Sequence, residues 1–398
     1  MNILFYMDSS EYGGVRTVTE LLGKEFSHRD QSVFFLIGER KYCDLKDFID
    51  GYKCAFLPDK CHYTEGNVSA YYKFLKENNI DIVINQDGLY ERTLLIDKAK
   101  EIGIPVISVI HNNPMLEYDY LLKDAFSLRN NTNIEKFKRV ARILLYPRTK
   151  KRFKTYIKSN IDRIKHGGSC VCVLSKAYIQ SVLRLNNRIK RIEAIPNPLV
   201  YSESEIKKVA KEKIVLFVGR LDNRSKKVQY LFNIWKMIAS EVPEWKLIVV
   251  GTGPDEASLR EQAKLLPNIE MIGYANPKSF YEKASILCMT SMFEGFPMVL
   301  TEAMQHGCVP IAFNSFPALS DIINDGCDGI IIKPFNKKEY SRELLALMRD
   351  NDRRNKLSEN AYQSVKRFEL EIITDKWMEL LINTIECFKN ENTIPHNV

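Results

Sequence analysis

A chain of 398 residues, 45% hydrophobic and 27% charged, is long enough for two packed domains and too apolar to stay unfolded. No run approaches the 18 apolar residues of a membrane-spanning helix, and the opening MNILFYMDSS reads as a first strand rather than a signal peptide. The formal net charge of +8 is concentrated in residues 121–166, with 14 Lys and Arg against 3 Asp and Glu, so the rest of the chain is slightly acidic.

Short runs rich in Val and Ile punctuate the first half: NILFYM (2–7), SVFFLIG (32–38), DIVINQ (81–86), PVISVIH (105–111), CVCVLS (170–175) and RIEAIPN (191–197). In the second half they are IVLFVG (214–219), KLIVVG (246–251), IEMIGY (269–274), SILCMTS (285–291), CVPIAF (308–313) and GIIIKP (329–334). Runs that are apolar on both faces predict buried parallel strands. Amphipathic stretches such as VQYLFNIWKMIASEV and DEASLREQAKLL lie between them and predict helices. The alternation predicts two doubly wound α/β domains. Pro196-Asn197-Pro198 and the polar run 202–213 predict a hinge, which divides the chain into 1–198 and 199–369. A helix and a polar tail follow in 370–398. The nine cysteines form no CxxC pair, and all are expected to be buried thiols in a reducing cytoplasm, with no zinc site.

The stretch SMFEGFPMVLTEAMQHG (291–307) holds two carboxylates, Glu294 and Glu302, in a segment otherwise built like core. Pro297 suits the first turn of a helix, and Gly307 suits the position after its end. Glu294 then lies in a loop beyond the C-terminal end of a strand, where open α/β sheets bind ligands, and Glu302 lies in the helix. The free N–H groups near Phe296–Val299 would favour an anion. FVGRLDNRSKK (217–227) places Arg220 and Lys226 at a similar strand end, where two cations suit a polyphosphate. VVGTGPDE (249–256) adds Gly251 and Gly253, which fit either a ligand turn or close helix packing. Gly13 and Gly14 follow the first strand and allow close approach of a backbone to a ligand, or a simple turn.

Together, GRL…K, GTGP, EGFP…E with seven residues between its acids, EAM..G.VPI and the N-terminal GG resemble the retaining glycosyltransferases of family 4, or glycosyl transferase group 1. The likeness is dense in the C-terminal half; in the first half it is confined to GG, PVISVIH, VLSKAY and IPNP. It implies the GT-B fold: two Rossmann-like domains facing across a cleft, the N-terminal one binding acceptor and the C-terminal one a nucleotide-sugar. The C-terminal helix is expected to pack back on the N-terminal domain.

By the same resemblance, Glu302 holds ribose hydroxyls, Glu294 holds the transferred sugar, and Arg220 and Lys226 neutralise the diphosphate. Backbone around Phe296, Met298 and Val299 meets the sugar or distal phosphate. Gly251 belongs to the donor-binding set, Gly273 and Tyr274 hold the base, and Gly14 meets phosphate from the other domain. His111 matches a histidine near the reacting carbon, or is a strand-end histidine bonded to a neighbouring carbonyl. Two fixed cations and a helix N-terminus make a metal or other cofactor unnecessary. The sequence departs from the pattern at Lys227, where a glycine often follows the motif lysine, and at Met298, where small or polar residues are frequent.

The expected activity is transfer of a hexosyl or N-acetylhexosaminyl group, from a UDP-sugar, to a lipid-linked saccharide. The setting would be cell-surface polysaccharide synthesis, such as lipopolysaccharide or capsule. Alternatives are a sugar-nucleotide 2-epimerase of the same fold and a non-catalytic sugar-nucleotide-binding assembly subunit. The basic segment places Phe137, Val140, Ala141 and Leu144 at helical spacing, then, after an expected break at Pro147, Phe153, Tyr156, Ile157, Ile161 and Ile164. Basic amphipathic helices suit an anionic membrane surface, here the inner face of the cytoplasmic membrane, or a domain-packing helix. No nucleic-acid-binding fold is legible.

Overall fold

The computed structural model describes residues 1–9, 13–39, 52–59, 64–87, 94–114, 133–166, 170–189, 191–207 and 209–393. Residues 121–132 of the basic segment, Cys43, Cys61 and the tail from 394 lie outside them, as do the side chains of Ile157, Ile161 and Ile164. The chain forms two units, Met1–Pro196 with Thr374–Val398, and Asn197–Ile373.

The first unit runs β1 (Asn2–Ser9), α1 (Gly14–His28), β2 (Ser32–Glu39), β3 (Lys53–Phe56), α2 (Glu65–Glu77), β4 (Ile82–Asn85), α3 (Leu94–Glu101), β5 (Val106–Ile110), α4 (Asn133–His166), β6 (Cys170–Val173), α5 (Ile179–Leu185) and β7 (Ile192–Ala194). Its seven strands are parallel, in the order β3-β2-β1-β4-β5-β6-β7. Phe5 of β1 is fully buried and stacks on Phe26 of α1 and Phe35 of β2, with ring centroids 6.0 and 5.5 Å away. Each such ring contributes about 1.5–3 kcal/mol by leaving water.

The second unit runs β8 (Glu212–Val218), α6 (Val228–Ile238), β9 (Lys246–Val250), α7 (Glu256–Ala263), β10 (Ile269–Gly273), α8 (Lys278–Lys283), β11 (Ala284–Met289), α9 (Met298–Gln305), β12 (Val309–Phe313), α10 (Leu319–Ile322), β13 (Ile330–Ile332), α11 (Lys337–Arg349) and α12 (Asn351–Val365). Its sheet is parallel, in the order β10-β9-β8-β11-β12-β13. Trp235 of α6 is fully buried and donates its indole N–H to the Pro267 carbonyl at 2.7 Å, which removes the penalty of burying a polar edge. The last helix, α13 (Leu370–Thr393), belongs from Thr374 onward to the first unit, where Asp375 pairs with Arg29 and Glu391 with Arg191.

All twelve expected strands are present, and β3 is additional. Three local expectations are corrected. Helix α4 is continuous through Pro147 for 34 residues. Pro147 leaves the Ile143 carbonyl without its helical N–H partner, and the helix carries that single lost bond without ending. Pro297 is the residue capping α9 rather than part of its first turn. The cysteines are not uniformly buried: Cys170, Cys172, Cys288 and Cys308 are, Cys54 and Cys387 are half-buried, and Cys327 is exposed in a turn closed by its N–H on the Asn324 carbonyl.

Candidate active site

In the second unit the strand order reverses between β8 and β11, which pair directly, so their C-terminal ends open a crevice at the switch point. The segment after β8 carries Arg220 and Lys226; the segment after β11 carries Glu294 and leads into α9 with Glu302. The fold therefore gathers residues up to 82 positions apart at one sheet edge.

Hydrogen bonds join the two segments. Thr290 Oγ1 donates to the Lys226 carbonyl at 3.0 Å, and the Met292 N–H donates to the Ser225 carbonyl at 2.7 Å. Above this frame Lys226 Nζ reaches Glu294 Oε1 at 2.5 Å, and Ser291 Oγ donates to the same oxygen at 2.6 Å. Arg220 is exposed and makes no ion pair among the described residues. Lys227 has φ +51°, the left-handed region that favours glycine, and its ammonium lies 5.8 Å from the centre of the Tyr230 ring. Of the two lysines, then, Lys226 turns to the carboxylate and Lys227 turns away.

The cation loop is seated on its neighbour. A side chain at Gly251 would place its first carbon 2.0 Å from the Gly219 carbonyl oxygen, and one at Gly253 would lie 2.5 Å from that of Leu221. Both distances are impossible, so these glycines admit the 219–221 backbone. The Leu221 N–H donates to the Thr252 carbonyl at 2.8 Å, and the Asn223 N–H donates to Asp255 Oδ2 at 2.6 Å. Gly251 also donates to the Gly273 carbonyl at 2.7 Å, and the following Tyr274 is 85% exposed, a broad ring open at the strand end.

Helix α9 starts at Met298, and the N–H groups of Met298 and Val299 are among the four that no helical carbonyl satisfies. Its first turn contains no acid, which leaves the positive end of the helix dipole uncompensated. Phe296 is buried with its ring against Phe368 at 5.4 Å, fixing the loop, so it can offer backbone but not side chain. Glu302 is 9% exposed, and burial raises its carboxyl above the usual range while the Tyr281 hydroxyl, donating at 2.8 Å, draws it back. Tyr281 is held at three points: hydroxyl on Glu302, ring stacked on His306 at 5.7 Å, and carbonyl accepting from Lys211 Nζ at 2.8 Å. Sequence reasoning missed Tyr281. It lies 21 residues before Glu302 in a short helix and has no local signal.

Two other expected residues lie in the first unit. Gly14 begins the 15-residue α1, and a side chain on Gly13 before it would meet nothing within 4 Å, so internal packing does not demand that glycine. His111 follows β5, and its Nε2 lies 2.7 Å from Gln86 Oε1, so this nitrogen carries the proton and Nδ1 is left as an acceptor. Burial lowers its pKa to about 4, which keeps the ring neutral at physiological pH.

Residues 202–364 match the family model of Glycosyl transferases group 1. The chain is 30% identical over 197 residues to the GalNAc-alpha-(1->4)-GalNAc-alpha-(1->3)-diNAcBac-PP-undecaprenol alpha-1,4-N-acetyl-D-galactosaminyltransferase of Campylobacter jejuni, covering 48% of this chain and 55% of that protein. It is 31% identical over 175 residues to the amylovoran biosynthesis glycosyltransferase AmsD of Erwinia amylovora, covering 43% and 48%. The chain thus spans about half the length of these curated relatives. Among solved structures, HepE of Anabaena in complex with UDP and glucose superposes with a TM-score of 0.74 over 96% of this chain and all of that one, at 15% identity. That identity shows a shared fold and no more.

Proposed function

Because this chain carries a glycosyl transferases group 1 domain over residues 202–364 and has the GT-B fold, we propose that it transfers a sugar from a nucleotide donor to a saccharide acceptor. The observation that carries this reading is the grouping of Arg220, Lys226, Glu294 and the α9 N-terminus at one switch point. Breaking the bond between sugar and diphosphate builds negative charge on the leaving phosphate. Arg220, Lys226 and the free N–H groups of Met298 and Val299 supply fixed positive charge where it grows. Activity should then persist under chelation by EDTA, since these groups already meet the diphosphate.

Glu294, anchored by Lys226 and Ser291, would hold hydroxyls of the transferred sugar. Glu302 would accept from the ribose, and Tyr274, with the Gly273 backbone, would border the base. The first unit would hold the acceptor, with Gly14 and the neutral His111 as its proposed contributors to binding. The donor is taken to be a UDP-sugar, as the motif resemblance implies. The alpha linkage and undecaprenol-linked substrate named for the Campylobacter relative favour retention and a lipid-linked acceptor, and AmsD favours polysaccharide synthesis. Among the described residues no helix is long and apolar enough to cross a membrane. Helix α4 instead would lie on the inner face of the cytoplasmic membrane, since Phe137 and Leu144 are 76% and 74% exposed among its cations.

The test is a thermal-shift screen with a panel of nucleotide-sugars, followed by transfer and hydrolysis assays on those that bind. Binding with sugar transfer supports the reading. Binding without turnover on any donor would make the protein a sugar-nucleotide-binding subunit, and interconversion of the sugar on its nucleotide would make it an epimerase.

A further inference from the structure

We propose that Asn85 and Asp87 form a hydroxyl-binding site at the C-terminal edge of the first unit's sheet, and that the hydroxyl it takes belongs to the acceptor saccharide. The second clause rests on the glycosyl-transfer reading; the first does not. In this unit the strand order reverses between β1 and β4, so the crevice that doubly wound sheets offer to ligands opens there. Asn85 is the last residue of β4, in register with Tyr6 of β1, and Gln86 donates its N–H to the Tyr6 carbonyl at 2.9 Å.

The polar atoms at this strand end are incompletely satisfied. The Asp87 N–H donates to Asn85 Oδ1 at 3.1 Å, which fixes the amide with its nitrogen as the remaining group. Asn85 Nδ2 is buried and has no partner, and Asp87 Oδ2 is buried and has no partner. One is a donor, the other an acceptor, and they belong to residues two apart joined by a single turn. Buried polar atoms are rarely left so, and two of opposite kind together specify what would complete them. A hydroxyl both donates and accepts through one oxygen. It would give its hydrogen to Asp87 Oδ2 and take one from Asn85 Nδ2. Saccharides present such groups densely.

The cost of this arrangement is visible. Burial pushes the Asp87 carboxyl up to about 7. The ionisable side chain at the end of the neighbouring strand, His111, is neutral and engaged with Gln86. A carboxyl serving the fold would have a cation or a donor beside it. Among the described residues Oδ2 has neither, and Asp87 as a residue keeps partial exposure at the strand end.

Saturation-transfer NMR with N-acetyl-D-galactosamine and with glucose, on the wild type and on Asp87→Ala and Asp87→Asn, tests the site. Calorimetric titration with UDP reports the donor side separately. At least a tenfold weaker saccharide response in Asp87→Ala is expected, with UDP affinity within twofold of wild type. Melting temperature distinguishes a ligand site from a structural one. The native carboxyl holds its proton up to about pH 7, whereas the unfolded one releases it near 3.8, so the protonated site's stability is lost as pH rises through 7. Asp87→Asn should therefore melt no lower than wild type at pH 5 and higher at pH 8. An unchanged saccharide response in Asp87→Ala, or a lower melting point for Asp87→Asn at pH 8, overturns the proposal. Failure of the wild type to bind UDP or turn over any nucleotide-sugar would instead sink the transfer reading, and the saccharide response would still judge the site.

Discussion

Lys226 Nζ and Glu294 Oε1 lie 2.5 Å apart, so the cation expected to meet a diphosphate already holds the carboxylate expected to meet the sugar. Neither group is free to wander before substrate arrives. The pair orients both, and an incoming phosphate must share the ammonium with Glu294 rather than recruit it from solvent. Removing either partner disturbs the other, whereas Arg220, exposed and without an ion pair among the described residues, can be removed cleanly.

Arg220→Ala should lower turnover on the order of 10²-fold with an unchanged melting temperature, by analogy with losing one preorganised donor. Lys226→Ala should lower turnover at least as much and also destabilise, because Glu294 is then half-buried without its cation. The double variant Lys226→Ala with Glu294→Ala should lose less stability than the two single losses added together. Steady-state kinetics and denaturant titration check each. Near wild-type rates in both single cation variants would remove the phosphate assignment.

Tyr281→Phe deletes one hydroxyl and leaves the ring stacked on His306. Free UDP should bind roughly 3- to 10-fold more weakly, the scale of one ordinary net hydrogen bond. The wild-type Glu302 carboxyl is raised by burial and drawn back by Tyr281, so losing the hydroxyl should raise it further. UDP affinity in Tyr281→Phe should therefore begin to fall at a higher pH than in wild type as the pH is lowered. Titration calorimetry across pH 5–8 would show this. Parallel pH curves would mean that Glu302 does not meet the ribose as a carboxylate.

Lys227 holds its left-handed backbone at a cost of about 1–2 kcal/mol for a residue with a side chain. Lys227→Gly removes that strain but adds freedom to the unfolded chain, so a net gain of about 0.5–1 kcal/mol is expected in denaturant unfolding. Turnover should hold within about twofold, because this ammonium lies over Tyr230 and not at the crevice. A loss of activity like that of Lys226→Ala would give the phosphate to Lys227.

Helix α4 carries 12 Lys and Arg against 2 acids, with Phe137, Val140, Leu144 and Leu145 exposed among them. The protein should sediment with vesicles containing anionic lipid and much less with neutral ones. The association should weaken as salt shortens the Debye length below about 8 Å. Reversing the charges at Lys150, Lys151, Arg152 and Lys154 should release it while UDP binding persists. Equal sedimentation with both vesicle types would leave α4 as a soluble or packing helix.

Much of this architecture is legible before any coordinates. Strands buried on both faces must be apolar on both, so the central runs stand out, and the half-exposed edge strands β7 and β10 are read from their Ile-containing runs. The edge strand β3 escapes notice because KCAF is short, half-exposed and begins with a lysine. The break expected at Pro147 follows the rule for proline inside helices, and a 34-residue helix carries the single lost bond without ending. The neighbours Lys226 and Lys227 cannot be ranked from composition; a backbone angle separates them, and it also explains why a glycine suits position 227. Asp87 is invisible because an aspartate after a strand is the ordinary mark of a turn. Only the orphaned atoms beside it set it apart.

The glycines at 251 and 253 have a further consequence, for inheritance. By admitting the 219–221 backbone they lock the cation loop to the next strand end, and every bond of that lock lies inside the 202–364 span that matches the family. If the proposed transfer holds, the groups that meet the donor would thus be built within one module. On the proposed reading, changes in the first unit could alter which molecule receives the sugar without disturbing this lock.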